Sequence, residues 1–167
     1  MPHIHHELFI SSSAEKIYSA LTSQSGLSAW WTPKTSASAE KHSVSRFSFG
    51  AEYFKEMKII DLKPLEYVEW TCIRGAEEWI GTSISFKIES GSKDSILIAH
   101  PEIKDQLQQS NIENEGTILT LHHNNWKDYT PMFAECNYTW GQFLNSLKLF
   151  CESGQGKPWP TQHRNKP

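Results

Sequence analysis

The sequence predicts an α+β domain in which an antiparallel strand meander is covered by one long C-terminal helix. Three observations predict it. Polarity alternates with period two from Arg46 to about His100. Apolar residues recur at three- and four-residue spacings from Met132 to Cys151. The length of 167 residues suits one domain with a sizeable core and leaves little room for a second. The expected boundaries are a core over about 3–153, a polar insertion at 101–115 and a flexible tail over 154–167.

Ile4, Leu8 and Ile10 alternate with polar residues, Phe9 excepted, and predict a first strand. Ser12 and Glu15 have capping-box spacing, so a short helix is expected with Ile17, Tyr18 and Leu21 on one face. Leu27, Trp30 and Trp31 predict a second short helix that stops before Pro33. Adjacent helical residues point about 100° apart, so one of the two tryptophans can close the core while the other guards an entrance. Residues 34–45 are Ser-, Thr- and Ala-rich and read as a solvated loop.

Phe47 and Phe49 precede a turn at Gly50. Met57 and Ile59 share one side of the next strand, and Lys63-Pro64 turns the chain into Val68, Trp70 and Cys72. Ile80, Thr82, Ile84, Phe86 and Ile88 form the clearest alternation, and Ile96 with Ile98 suggests a further strand. Residues 101–115 are polar and read as an exposed insertion in which Ile103 and Leu107 can support a helical turn or two. The last strand is expected at Thr117–His123, with Leu119, Leu121 and His123 on one face. The final helix ends at Gly154, a suitable C-cap.

Composition excludes several function classes. A formal charge of −3, with no cluster of Lys and Arg, argues against a nucleic-acid surface. No apolar run approaches the length of a membrane span, and Met1 to Ile10 alternates where a signal peptide would be continuously apolar, so a cytoplasmic protein is expected. Cys72, Cys136 and Cys151 are odd in number, lack C-x-x-C spacing and sit in apolar patterns, which predicts buried, reduced thiols. His3 and His5 share a strand face, but two imidazoles are only half a metal site, and no metal or other cofactor is expected.

The order of elements resembles the helix-grip fold of the START/Bet v 1-like superfamily. Ser12 to Leu21 followed by Leu27-Ser28-Ala29-Trp30-Trp31 is similar to the first-helix segment of the group related to the C-terminal domain of the heat-shock protein 90 ATPase activator. Gly116 to His123, Trp140 to Leu147, and Gly154-Gln155-Gly156-Lys157-Pro158 resemble that group's last strand, terminal helix and exit. The insertion at 101–115 and a loop before Phe47 without glycine-rich character depart from the pattern.

This resemblance implies a sheet curved around the last helix and an internal cavity for a small hydrophobic or amphipathic ligand. Alternation nominates Phe47, Phe49, Met57, Ile59, Val68, Trp70, Ile84, Phe86, Leu119, Leu121 and His123 as inward sheet residues, and the helices add Trp30, Trp31, Met132, Cys136, Trp140 and Leu144. The same residues are also those of an ordinary close-packed core. No catalytic constellation stands out. A cyclase- or aromatase-like enzyme would draw on His123, Tyr53 or Glu135. A co-chaperone role is the third reading, and either a monomer or a homodimer fits.

Overall fold

In a computed structural model of the chain, which describes residues 1–110 and 115–164, period-two alternation divides a seven-stranded sheet into two faces. The elements run β1 (Ile4–Ile10), α1 (Ala14–Thr22), α2 (Gln24–Trp30), β2 (Thr35–Ser36), β3 (Val44–Ser48), β4 (Phe54–Lys63), β5 (Tyr67–Arg74) and β6 (Ser83–Ser92). There follow α3 (Lys93–Ala99), a 3-10 turn at Pro101–Ile103, α4 (Lys104–Gln108), β7 (Glu115–Asn124) and α5 (Pro131–Ser153). Spatial order is β1-β7-β6-β5-β4-β3-β2, with every neighbouring pair antiparallel. This is the helix-grip arrangement, and α5 packs with α1, α2 and β1.

The concave face carries Ile4 and Ile10 of β1, Phe47, Met57 and Ile59, Val68, Trp70 and Cys72, Ile84, Phe86 and Ile88, and Leu119 and Leu121, all buried. On α5, Trp140, Phe143, Leu144, Leu147 and Cys151 form the buried stripe. Thr130 caps this helix by accepting from the Phe133 amide at 3.1 Å, with Pro131 in the first turn, and Gly154 ends it in the left-handed conformation at φ 85°.

Several elements differ from expectation, each for a local reason. The first helix starts one residue late: Ser13, not Ser12, accepts from the Lys16 amide at 3.2 Å. The Ser12 carbonyl is instead held by the Thr117 hydroxyl at 2.8 Å. Ile80 lies outside the strand it seemed to begin; it is exposed in a turn that Gly81 closes at φ 87°. Residues 96–98 are helical, because Ser92 caps α3 by accepting from the Ser95 amide at 3.1 Å.

The convex face explains that helix. Phe9, the exception to the β1 alternation, points outward with Ile118, and Ile96, Ile103 and Leu107 cover both in a second buried cluster. Residues 93–108 therefore form a cover for the sheet, where a polar insertion had been expected at 101–115. The part of that insertion over 111–114 lies outside the described residues. Gly116 sits under this cover, where a Cβ would meet the Phe9 ring at 2.2 Å, so only glycine fits. His100 fastens the cover by pairing with Glu7 of β1, Glu89 of β6 and its neighbour Glu102.

The chain after Gly154, the expected tail, runs back against α2 through hydrogen bonds. Lys157 N–H donates to Ser146 Oγ at 2.7 Å, Ser146 Oγ–H donates to the Trp30 carbonyl at 2.8 Å, and Trp159 N–H donates to the Trp31 carbonyl at 2.8 Å. Gly156 permits the approach, since a Cβ there would lie 2.6 Å from the Ala29 carbonyl oxygen. Residues 165–167 of that tail lie outside the described residues.

Candidate ligand-binding cleft

Tryptophans occupy much of the space between α5 and the sheet. The Trp31 ring stacks on Trp30 and Trp70, each at 5.8 Å between centroids, and on Trp140 at 5.4 Å, and it packs against Phe47 at 4.4 Å. The two adjacent tryptophans do not diverge as helix geometry suggested. Trp31 is the C-cap of α2, and its ring lies within 10° of parallel to that of Trp30. Trp30 Nε1–H donates to the Ala20 carbonyl at 2.7 Å, which fixes the first ring against α1.

Beside this layer a cleft of about 390 Å³ opens. Trp31 and Trp140 form its floor, Phe49 and Tyr53 come from the β3–β4 connection, and Trp79 comes from the turn before β6. The first half of α5 contributes Glu135, Cys136, Thr139 and Phe143, and the returning tail contributes Trp159 and Gln162.

Of the residues nominated from sequence, Trp31, Phe49, Cys136 and Trp140 line this cleft, as do Tyr53 and Glu135 of the enzymatic reading. Trp30, Phe47, Met57, Ile59, Val68, Trp70, Ile84, Phe86, Leu119, Leu121 and Leu144 lie in the packed core, at most 3% exposed. None of these eleven is part of the lining of that cleft. Met132 is partly buried against that core.

His123 is fully buried behind Trp79 and Trp140. Trp140 Nε1–H donates to His123 Nδ1 at 3.1 Å, so Nδ1 accepts and the neutral ring carries its proton on Nε2. Nε2–H then donates to Thr82 Oγ1 at 2.9 Å, whose hydroxyl donates to the Trp79 carbonyl at 2.6 Å. Burial, with a smaller contribution from Lys55, pushes this imidazole down to about 3. Both nitrogens are engaged by protein groups, so His123 positions the tryptophans and is not free to exchange protons with a ligand.

Lys55 is the cleft-lining charge that sequence reasoning missed. It lies on β4 only 6% exposed, with its ammonium 4.2 Å from the Phe49 and Trp79 ring centroids and 4.6 Å from that of Tyr53. Burial pushes the amine down to about 8, while the three ring faces attract its charged form. The signal was present: the alternation that turns Met57 and Ile59 inward also turns Lys55 inward. Cys136 borders the same space and accepts from Trp79 Nε1–H at 3.3 Å; burial raises its thiol above the ordinary range.

Two further clusters sit on the convex face. His5 stacks on His122 at 4.3 Å between centroids, with His3 6.2 Å from His122. Among the described residues, the group whose potential metal-ligating atoms all lie within 4.8 Å of one another is Glu7, His100 and Glu102. Those three are already paired with one another across the cover.

A family model for Activator of Hsp90 ATPase homolog 1-like proteins matches residues 11–152, most of the chain and nearly all of the fold just described. The chain belongs to this family.

The AHSA1-like assignment agrees with the solved structures. The Aha1 dimer from Colwellia psychrerythraea, a solution structure, is 34% identical over 93% of this chain and 100% of that one, with a TM-score of 0.72. Protein BH1534 from Bacillus halodurans is 18% identical over 91% of this chain and 98% of that one, with a TM-score of 0.62. CalU16 from Micromonospora echinospora is 14% identical over 89% and 73%, at 0.60. The last two share the fold. No curated protein matches the chain. No helix among the described residues is long and apolar enough to cross a membrane.

Proposed function

We propose that this AHSA1-like chain is a binding protein for a small amphipathic molecule, held without covalent chemistry in the cleft between α5, β4 and the returning tail. One observation carries the reading: Trp31, Trp79, Trp140 and Phe49 present aromatic surface to an open space that the buried Lys55 also borders. Apolar walls with a few placed polar groups are the common character of small-molecule sites. Covering the walls stabilises a complex by roughly 25 cal/mol per Å² of apolar surface removed from water.

A catalytic reading has less support. Tyr53 and Glu135 border the cleft, but His123 is committed to Trp140 and Thr82, and no nucleophile–base pair is formed among the described residues. Chaperone binding would rest on the family description alone. The dimeric state of the Colwellia relative extends the proposal to a homodimer, which sedimentation of the purified chain tests.

The binding experiment is organic-solvent extraction of purified protein with mass analysis of the extract, paired with titration of the stripped protein by naphthalene-based probes. A Thr139→Trp variant fills the cleft from α5. The proposal expects a co-purifying molecule or saturable probe binding in the wild type and its loss in the variant. Undiminished binding by a folded Thr139→Trp protein contradicts it.

A further inference from the structure

We infer that the ligand of this cleft carries an acidic group, a carboxylate or a comparable oxyanion, which pairs with the Lys55 ammonium. The inference rests on the binding reading above and names the class of molecule that the cleft selects.

Charged side chains are almost never buried without a partner, because the interior cannot replace the water that solvates them. Lys55 is the one Lys, Arg, Asp or Glu that is buried among the described residues. The cations that form ion pairs sit nearer water: Arg46 and Arg74 share Glu56 at 2.8 and 3.2 Å, Lys148 pairs with Glu152 at 2.9 Å, and Lys41 pairs with Asp61 at 3.4 Å. Lys55 differs from these. It is buried, yet among the described residues no carboxylate forms an ion pair with its ammonium and no protein acceptor takes a hydrogen bond from it. The acid nearest in the lining, Glu135, stands exposed at the rim.

The surroundings make this amine a recognition group. The rings of Phe49, Tyr53 and Trp79 lie 4.2 to 4.6 Å from Nζ and hold the charge by their faces, without supplying an acceptor. Its N–H donors therefore remain available to the cleft. A second unsatisfied atom borders the same space, because Gln162 Oε1 is buried with no donor among the described residues. A ligand with a flat apolar body between the indoles, an oxyanion at Lys55 and a hydroxyl or N–H at Gln162 satisfies both. A charge-assisted bond to a desolvated ammonium is far stronger than a neutral contact there.

Two probes that share one ring system test this. Calorimetric titration with 2-naphthylacetate and with 2-(2-naphthyl)ethanol compares an acid with a neutral alcohol of nearly the same shape. The acid is expected to bind wild type about tenfold or more tightly than the alcohol. Lys55→Met is expected to lose that preference while keeping its affinity for the alcohol, and Lys55→Arg to retain most of the preference. Equal affinities in the wild type, or a preference that survives in Lys55→Met, overturn the inference and leave the cleft reading standing. If neither probe binds the folded wild type, the cleft reading fails and this inference with it. The alcohol titration also shows that Lys55→Met still forms the cleft, so lost acid binding is not mistaken for unfolding.

Discussion

Replacing Lys55 with methionine should make the protein more stable at neutral pH, although it removes the group proposed to recognise the ligand. The amine is 6% exposed, and burial brings it from 10.5 to about 8. A folded-state value below the unfolded one means that the unfolded chain binds the proton more tightly. Below pH 8 the protonated lysine therefore opposes folding, and the penalty lifts as pH rises from 8 to 10.5. The full difference corresponds to about 3 kcal/mol. The three ring faces return part of it, roughly 0.5–1 kcal/mol each. Methionine keeps the apolar stem and removes the charge, so Lys55→Met should gain up to about 1.5 kcal/mol at pH 7.

Urea unfolding followed by tryptophan fluorescence measures this, with wild type and variant compared at pH 7, 8.5 and 9.5. The titratable groups facing Lys55 are Tyr53 on the loop, Cys72 on β5, His123 on β7, and Glu135 and Cys136 on α5. They are present in both proteins, so the difference between the two isolates Lys55. The gap should narrow as pH rises. A variant less stable than wild type at pH 7, or a gap independent of pH, refutes the reasoning and indicates that the ammonium contributes more to the fold than burial costs it.

Three other outcomes follow from the geometry. His123 has a folded value of about 3 against 6.5, so stability should fall as pH drops through that window, by about 3 kcal/mol at pH 4; His123→Asn, which does not titrate, should lose less on the same acid unfolding series. Gly116→Ala drives a Cβ into the Phe9 ring and should cost about 1–3 kcal/mol in thermal or urea unfolding, partly restored by Phe9→Leu in the double mutant. Burial pushes the thiols of Cys72 and Cys151 up to about 11 and about 12, so neither should react with a thiol reagent before unfolding, whereas partly exposed Cys136 should react slowly in the folded state and be shielded by a cleft ligand.

The fold was legible because its two periods are clean. Alternation from β4 to β7 and the stripe on α5 each record a single buried face, and the apolar pattern alone identifies which face it is. Ile96 and Ile98 misled because a short apolar run fits strand or helix equally well. The Ser92 cap and the uncovered Phe9 and Ile118 decide for helix, and the second of these is a tertiary fact. The cleft was legible only in part. Trp31, Phe49, Cys136 and Trp140 are inward by local pattern, but which inward residues stay open depends on how the indoles stack and on a tail that folds back to place Trp159 and Gln162. Lys55 breaks an apolar pattern at an inward position, and a lone charge on a buried face is the clue that the strand's alternation carries.

The most direct measurement is a proton–nitrogen correlation titration of the labelled protein with 2-naphthylacetate, because the indole N–H groups report separate places. Trp79, Trp140 and Trp159 border the cleft, whereas Trp30, bonded to the Ala20 carbonyl, and Trp70 in the core do not. Saturable shifts at the first three with the last two unmoved are the predicted result. Shifts confined to the groove between α1 and the end of α5, lined by Glu15, Ser19 and Gly154, or no shifts at saturating probe, would contradict a ligand site at this cleft.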